Sequence, residues 1–302
     1  MIMRKLFITL AILATCIFSA AAADVTVEKN YNLKNFRGLA ISSTFDVAVE
    51  KSDTYSVVVA VASEYVPYLD VKVTGGILSI GFKNLPRKLS TTEFLKASAV
   101  ARISMPSIER LSLSGASTFV SEDAFDIKNA DFALSVSGAS EVKRIEVYGS
   151  DADISLSGAS RANIAGGFID VEMSLSGTSR AALTADAEDL SVTVSGTAVA
   201  DIEGEYDEVD LETSGVANIT IKGEASKMEV ESSGTSSVDA LNMPVGSADV
   251  SLSGASVCKA HVLKALEAEC TGASTLSYKA DDKIRLDLKE IARSATLKKL
   301  FR

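Results

Sequence analysis

The chain has no tryptophan, only four prolines and three cysteines, and a single histidine. Scarce proline, set beside abundant Ser, Ala, Gly and Val, suits many short strands in tight packing rather than long amphipathic helices. The lone histidine, His261, is the only pivot a Ser-His-acid site could use, and nothing near it forms a nucleophile turn, so catalysis through it is not expected. No segment after the N-terminus approaches the ~18 uninterrupted apolar residues of a membrane-spanning helix. An excess of positive charge is also missing. The 30 basic residues fall to 28 when Arg4 and Lys5 are removed with the leader described next, against 40 acidic ones, leaving a net charge of −12. Nucleic acid and anionic lipid would be repelled, so neither is expected as a partner.

What is present begins with "MIMRKLFITLAILATCIFSAAAADV". Arg4 and Lys5 precede a short apolar run, and small residues then offer Ala20-x-Ala22 or Ala21-x-Ala23 for cleavage. Residues 1–23 therefore read as a secretory signal peptide, and the mature chain is expected to be exported, with no transmembrane segment. "LATC" at Leu13 to Cys16 resembles a lipoprotein signal, but Thr15 is a poor residue before an acylated cysteine, which argues against lipidation.

The phrase "SGAS" and its variants supply a ruler. Their glycines fall at Gly115, Gly138, Gly158, Gly177, Gly196, Gly215, Gly234, Gly254 and Gly272, a nearly fixed period of about 19 residues after one longer step. Four residues before each glycine, two before it and four after it, the columns are mostly apolar, as in Leu111, Leu134 and Ile154, or Leu113, Val136 and Leu156. The odd offsets carry Ser, Thr, Glu, Arg and Lys. That period-two alternation belongs to strands with one wet face and excludes helix as the main element. The expected fold is an all-β, single-chain parallel β-solenoid (a β-helix), with rungs of about 19 residues stacked ~4.8 Å apart. Glycine supplies the bend at each corner. The serines and threonines beside it are small enough to stack and are expected to bond one another up the ladder. A corner motif is favoured over a catalytic serine array. A second turn within each rung is visible in "IAGGFID", "IEGEYDE" and "IKGEASK".

Before the first phrase the pattern is less regular. Residues 24–110 read as an N-terminal β region leading into the solenoid. Phe45 to Val61 forms two strands joined at Lys51 to Thr54, Tyr68 to Phe82 a hairpin-like pair around Gly75-Gly76, and residues 83–97 an irregular loop. Residues 111–302 form the repeat solenoid. Its last copy, "IARSATLKKLFR", has decayed, with Arg293 where glycine would stand, and would cap the stack with charge.

These residues carry a resemblance. "ARISMPSIERLSLSGAS", the serial "SGAS" copies and the closing "STLSYKA" are similar to the auto-transporter adhesin "head GIN" domain proteins (DUF2807), secreted bacterial proteins common in Bacteroidetes, over roughly Asn35 to Leu300. The resemblance implies binding at the cell surface or in the periplasm and supplies no catalytic residues. The copies at Gly196 and Gly215 read "SGTA" and "SGVA", so the final Ser is not needed for chemistry. No alternating barrel strands follow "LKKLFR", so a chain carrying its own membrane barrel is not expected.

Two further features concern sites. Cys258 and Cys270 both fall in inward columns; an exported pair invites a disulfide, but the columns belong to different strands of the rung, and two buried free thiols is the favoured reading. Asp153, Glu172, Asp210, Glu229, Asp249 and Glu267 lie five residues before the glycines, and Glu212, Glu231 and Glu269 three before. Stacked, Asp210, Glu212, Glu229, Glu231, Asp249, Glu267 and Glu269 would make one acidic face over the later rungs. Such a face is either solvated surface or a site for Ca²⁺ or a basic partner, although no EF-hand loop or glycine-aspartate nonapeptide is present. No catalytic residue, cofactor or resident metal is assigned.

The expected function is that of an exported, non-enzymatic binding or structural protein of the bacterial cell envelope, adhesin-like, engaging a surface polysaccharide or another envelope protein. The alternative is a carbohydrate-active β-helix enzyme, a polysaccharide lyase or hydrolase. Short loops and few aromatic residues for sugar stacking, Phe168 and Tyr206 among them, weigh against it.

Overall fold

The computed structural model describes residues 26–86, 89, 99–281 and 283–300. The proposed leader, Cys16 and most of the expected loop at 83–97 lie outside the described residues. Within them the chain is nearly all strand, apart from a short 3-10 turn at Ser63–Tyr68. No helix among the described residues is long and apolar enough to cross a membrane.

The strands before and after each glycine pair in parallel with the same strands of the next rung. Asp151–Leu156 lies on Asp170–Leu175, which lies on Asp189–Val194, each residue opposite the one 19 later. From Val199 to Cys270 the strand after one glycine runs through the second turn into the strand before the next, as in Val199–Thr213 and Asn218–Ser232. The interior is the set of even offsets. Leu111, Leu134, Ile154, Met173, Val192, Leu211, Val230, Val250 and Ala268 are buried, as are Phe119, Val142, Ala162, Ala181, Ala200, Ile219, Val238, Cys258 and Leu276. The parallel solenoid expected from the repeat is the observed fold.

The glycine corner is one place where rung rests closely on rung; the second turn is another, where a Cβ on Gly204 or Gly223 would run into the carbonyl oxygen of Ala185 or Gly204. Gly196 has φ +74°, a left-handed conformation that L side chains rarely adopt. A Cβ built on it would stand 2.7 Å from the carbonyl oxygen of Gly177 in the rung below. That close approach lets the amide of the next residue, Thr197, reach the Gly177 carbonyl at 2.8 Å, a bond repeated as Thr178 to Gly158 and Val216 to Gly196. Glycine is therefore required for both conformation and space.

The expected hydroxyl-to-hydroxyl ladder is not what holds the corner serines. The final residue of each phrase points inward and is buried, serine in most copies, for example Ser117, Ser160, Ser236 and Ser256, and alanine at Ala198 and Ala217. The serine hydroxyl donates to backbone carbonyls instead: Ser179 to Ser176 at 2.8 Å, Ser236 to Ser233 at 2.7 Å and Ser160 to Val136 at 3.2 Å. The acceptor is the turn's own carbonyl for Ser179 and Ser236 and a carbonyl of the neighbouring rung for Ser160, so each buried hydroxyl takes a backbone partner within reach. The exception is a core cluster in which Thr213, Ser232 and Ser236 bond one another at 2.8 to 3.0 Å. Thr213 and Ser232 stand there in the column that is leucine or valine in most rungs.

The two ends differ. At the N-terminal end a further rung, Gly38–Ile41 and Phe45–Lys51, stacks in parallel beneath Arg110–Leu113 and Thr118–Asp126. Ser43, at φ +80°, occupies its corner directly below Gly115. Ile77–Phe82 and Ala99–Met105 still stack in parallel on that rung, and beyond them the pattern turns antiparallel. Leu69–Thr74 and Ile77–Phe82 form the expected hairpin around Gly75-Gly76, and Thr26–Tyr31 pairs with Ser56–Ala62. Phe45–Lys51 and Ser56–Ala62 are consecutive strands, as expected, yet they do not pair with each other; Ala99–Met105 lies between them. Phe45, Phe82, Tyr65, Phe36 and Tyr55 close this end, with the Phe45 and Phe82 rings stacked at 5.1 Å. At the other end Arg285–Ile291 and Thr296–Leu300 form the outermost described rung, with Arg293 at its turn, and Leu286 and Leu288 remain partly exposed.

Candidate binding faces

The strands preceding the glycine corners hold the acidic face, and the register brings its residues together. Asp210 stands opposite Glu229, Glu229 opposite Asp249 and Asp249 opposite Glu267. Glu212 stands opposite Glu231, while Ser251 separates Glu231 from Glu269. Asp153 and Glu172 face each other farther up, but Ser191 breaks the ladder between Glu172 and Asp210. Partial burial pushes the Asp210, Glu229 and Asp249 carboxyls above their ordinary range, and repulsion adds to it: Glu208 of the same strand and Asp189 of the neighbouring rung on Asp210, Asp210 on Glu229, Glu267 on Asp249. The chain's own cations offset part of this charge. Lys289 meets Glu267 at 3.2 Å and Asp287 at 3.6 Å, and Lys227 meets Glu208 at 3.6 Å.

The second turns stack on another side of the solenoid and leave a groove of about 790 Å³. Its wall carries Asp186, Glu188, Glu205, Asp207 and Glu224, with Ile169 toward one end and Leu263 at the other. Ile169 and Leu263 are 48 % and 51 % exposed, so two large apolar side chains face water there. Phe168 and Tyr206 also line the groove but are buried, which removes them as open platforms for sugar stacking. The Tyr206 hydroxyl has no hydrogen-bond partner among the described residues, and burial drives its ionisation well above the ordinary value, Asp186 and Glu203 reinforcing the effect. The sequence names Phe168 and Tyr206 but not the groove. Its residues share no repeated phrase, and the one signal is the carboxylate on successive second turns in "TADAED", "GEYDE" and "GEAS".

The other singled-out residues form no reactive constellation. His261 is half-buried, lies opposite Pro244 and Lys279, and its imidazole is held below its ordinary pKa by burial and by Lys279, with Asp281 opposing. The inward corner serines have no access to substrate. Cys258 and Cys270 are free and buried, and burial pushes the Cys258 thiol up to about 12, with Cys270 and Asp239 adding to the shift. Among the described residues no group of three or more His, Cys, Asp or Glu side chains is placed to hold a metal ion, so the acidic face presents no Ca²⁺ cage.

Comparison with known proteins gives a consistent result. Residues 35–202 and 180–281 match the family described as "Putative auto-transporter adhesin, head GIN domain". Among solved structures, a "putative adhesin" from Parabacteroides merdae is similar at a TM-score of 0.51 and 15 % identity, over 91 % of this chain and 96 % of that one. A second "putative adhesin", from Parabacteroides distasonis, gives 0.51 and 18 % over 91 % and 97 %. At these identities the likeness is one of fold. No match was found among curated proteins.

Proposed function

Because the chain belongs to the head GIN family, we propose that it is an exported, non-enzymatic, adhesin-like protein of the bacterial cell envelope. Its solenoid serves as a rigid rod that presents side chains at fixed ~4.8 Å intervals. The observation that carries the reading is the in-register column Asp210, Glu229, Asp249 and Glu267 with Glu212, Glu231 and Glu269 beside it. A periodic array of exposed acceptors suits a periodic partner, a surface polysaccharide or another envelope protein. Chemistry at the corner repeats is disfavoured because their inward serines are buried.

The experiment is protease accessibility on intact cells against lysed cells. Cleavage on intact cells is the expected result and places the rod outside. Protection until lysis would put it in the periplasm and replace adhesion by an internal envelope partner. Polysaccharide cleavage by the purified protein that disappears on replacing a single acidic residue would overturn the non-enzymatic reading.

A further inference from the structure

The second-turn groove differs from the acidic strand face in two respects. No Lys or Arg lines it, and among the described residues none of its five carboxylates has an ion-pair partner, whereas Lys227 and Lys289 already offset charge on the strand face. It is also amphipathic, with exposed Ile169 and Leu263 at opposite ends of the carboxylates. Asp186 and Glu188 stand on one rung, Glu205 and Asp207 on the next, and Glu224 on the one after. Tyr206 adds a buried hydroxyl without a partner to the same wall.

The register sets the length of what would fit. The residue after Ile169, Asp170, stacks in turn on Asp189, Glu208, Lys227, Ser247 and Ala265, the last two residues beyond Leu263. Five rung steps of ~4.8 Å separate the two apolar ends by about 24 Å. An extended polypeptide advances ~3.3 Å per residue, so roughly eight residues span the distance, with alternate side chains on the groove side.

We propose that this groove seats an extended cationic segment of a partner polypeptide, with apolar side chains against Ile169 and Leu263 and Lys or Arg between them against the carboxylates. Charge complementarity selects the cation, and the apolar ends select a polypeptide over a simple polycation. The assignment rests on the binding-protein reading above and specifies the partner's chemistry.

The test is calorimetric titration of the purified protein with the peptide Leu-Ser-Lys-Ser-Lys-Ser-Lys-Ser-Leu at low and at physiological salt. Three comparison probes are used: the same peptide with Glu for Lys, the same with Ser for both Leu, and spermine. The lysine peptide with leucine ends should bind, more weakly as salt rises, and the other three should bind at least about tenfold less well. The double variant Glu205→Gln/Asp207→Asn should weaken the lysine peptide by about tenfold, Leu263→Ser should weaken it while leaving the spermine signal unchanged, and Asp53→Asn/Glu64→Gln, at a distant exposed site, should change neither. Circular dichroism verifies that each variant is folded. Absence of binding by the lysine peptide, equal binding by spermine, or equal loss in the distant double variant overturns the assignment. Because location is read separately by protease accessibility, a negative titration removes the groove's role without deciding whether the protein is surface-exposed.

Discussion

Each rung turns twice, and the two turns are built to different requirements. At the glycine corner one backbone rests on the next: the Thr197 amide reaches the Gly177 carbonyl at 2.8 Å, and the inward serine of most copies is buried. At the second turn Phe168 and Tyr206 are buried, while the other side chains change from rung to rung and leave a groove of about 790 Å³. Both turns stack backbone on backbone, the Glu188 and Asp207 amides reaching the Ile169 and Glu188 carbonyls at 2.8 and 2.9 Å, but the corner also buries a serine or alanine in every copy, and there the sequence repeats. Regularity in this chain therefore reports packing, and the irregular turn is where a binding preference can be written without disturbing the stack.

The largest loss is expected from a side chain placed in the corner. Gly196→Ala places a Cβ 2.7 Å from the Gly177 carbonyl at a φ of +74°. The backbone strain and the lost or displaced contact between rungs together should cost about 3 kcal/mol. Chemical denaturation would show it as a lowered midpoint. The groove double variant Glu205→Gln/Asp207→Asn should by contrast stay within about 0.5 kcal/mol of the parent. Similar losses at both turns would mean that the second-turn carboxylates, and not only the backbone bonds there, hold the stack.

The next test concerns the interior of the later rungs. With Cys258 fully buried and its thiol pushed up to about 12, iodoacetamide at pH 8 should label neither Cys258 nor Cys270 until denaturant is added. Labelling of native protein would show that these rungs open easily. A smaller effect is expected at the core hydroxyl cluster. Thr213→Val keeps the shape but takes a partner from both Ser232 and Ser236, and should cost about 1 kcal/mol. Replacing all three hydroxyls by apolar groups of similar size should restore most of that loss, since no buried donor is then stranded.

The difference between the turns also explains what could be read from the sequence. The corner glycines fix register, so the buried columns and the acidic column follow directly from counting residues. Ser43 hides the first rung, because it adopts φ +80° without being glycine and "ISSTF" does not match the phrase. The aromatic closure around Phe45 and Phe82 depends on pairings between distant segments, Gly38–Ile41 with Ile77–Phe82 and Phe45–Lys51 with Ala99–Met105, which no local period encodes. The groove escapes for a similar reason. Asp186, Glu205 and Glu224 become neighbours only after stacking, and the apolar ends, Ile169 and Leu263, lie 94 positions apart in the chain.

The smallest expected effect lies on the acidic strand face and has a definite sign. The Asp210, Glu229 and Asp249 carboxyls are held above their ordinary values of 3.8 to 4.5, so the folded state binds more protons than the unfolded chain at and somewhat above that range. Their contribution must therefore favour the fold at low pH and be lost as pH rises through the raised values. Asp70, whose carboxyl Lys72 holds below 3.8, acts in the opposite direction but only at more acid pH. The thermal midpoint should be slightly higher at pH 5 than at pH 7. Glu229→Gln removes the central charge of the column, between Asp210 and Asp249. It should raise the midpoint at pH 7 by about 1 to 2 °C and flatten the pH dependence. A lowered midpoint would mean that Glu229 is held by an attractive partner, and the acidic ladder would then be a structural element of the stack rather than an open surface carrying unrelieved repulsion.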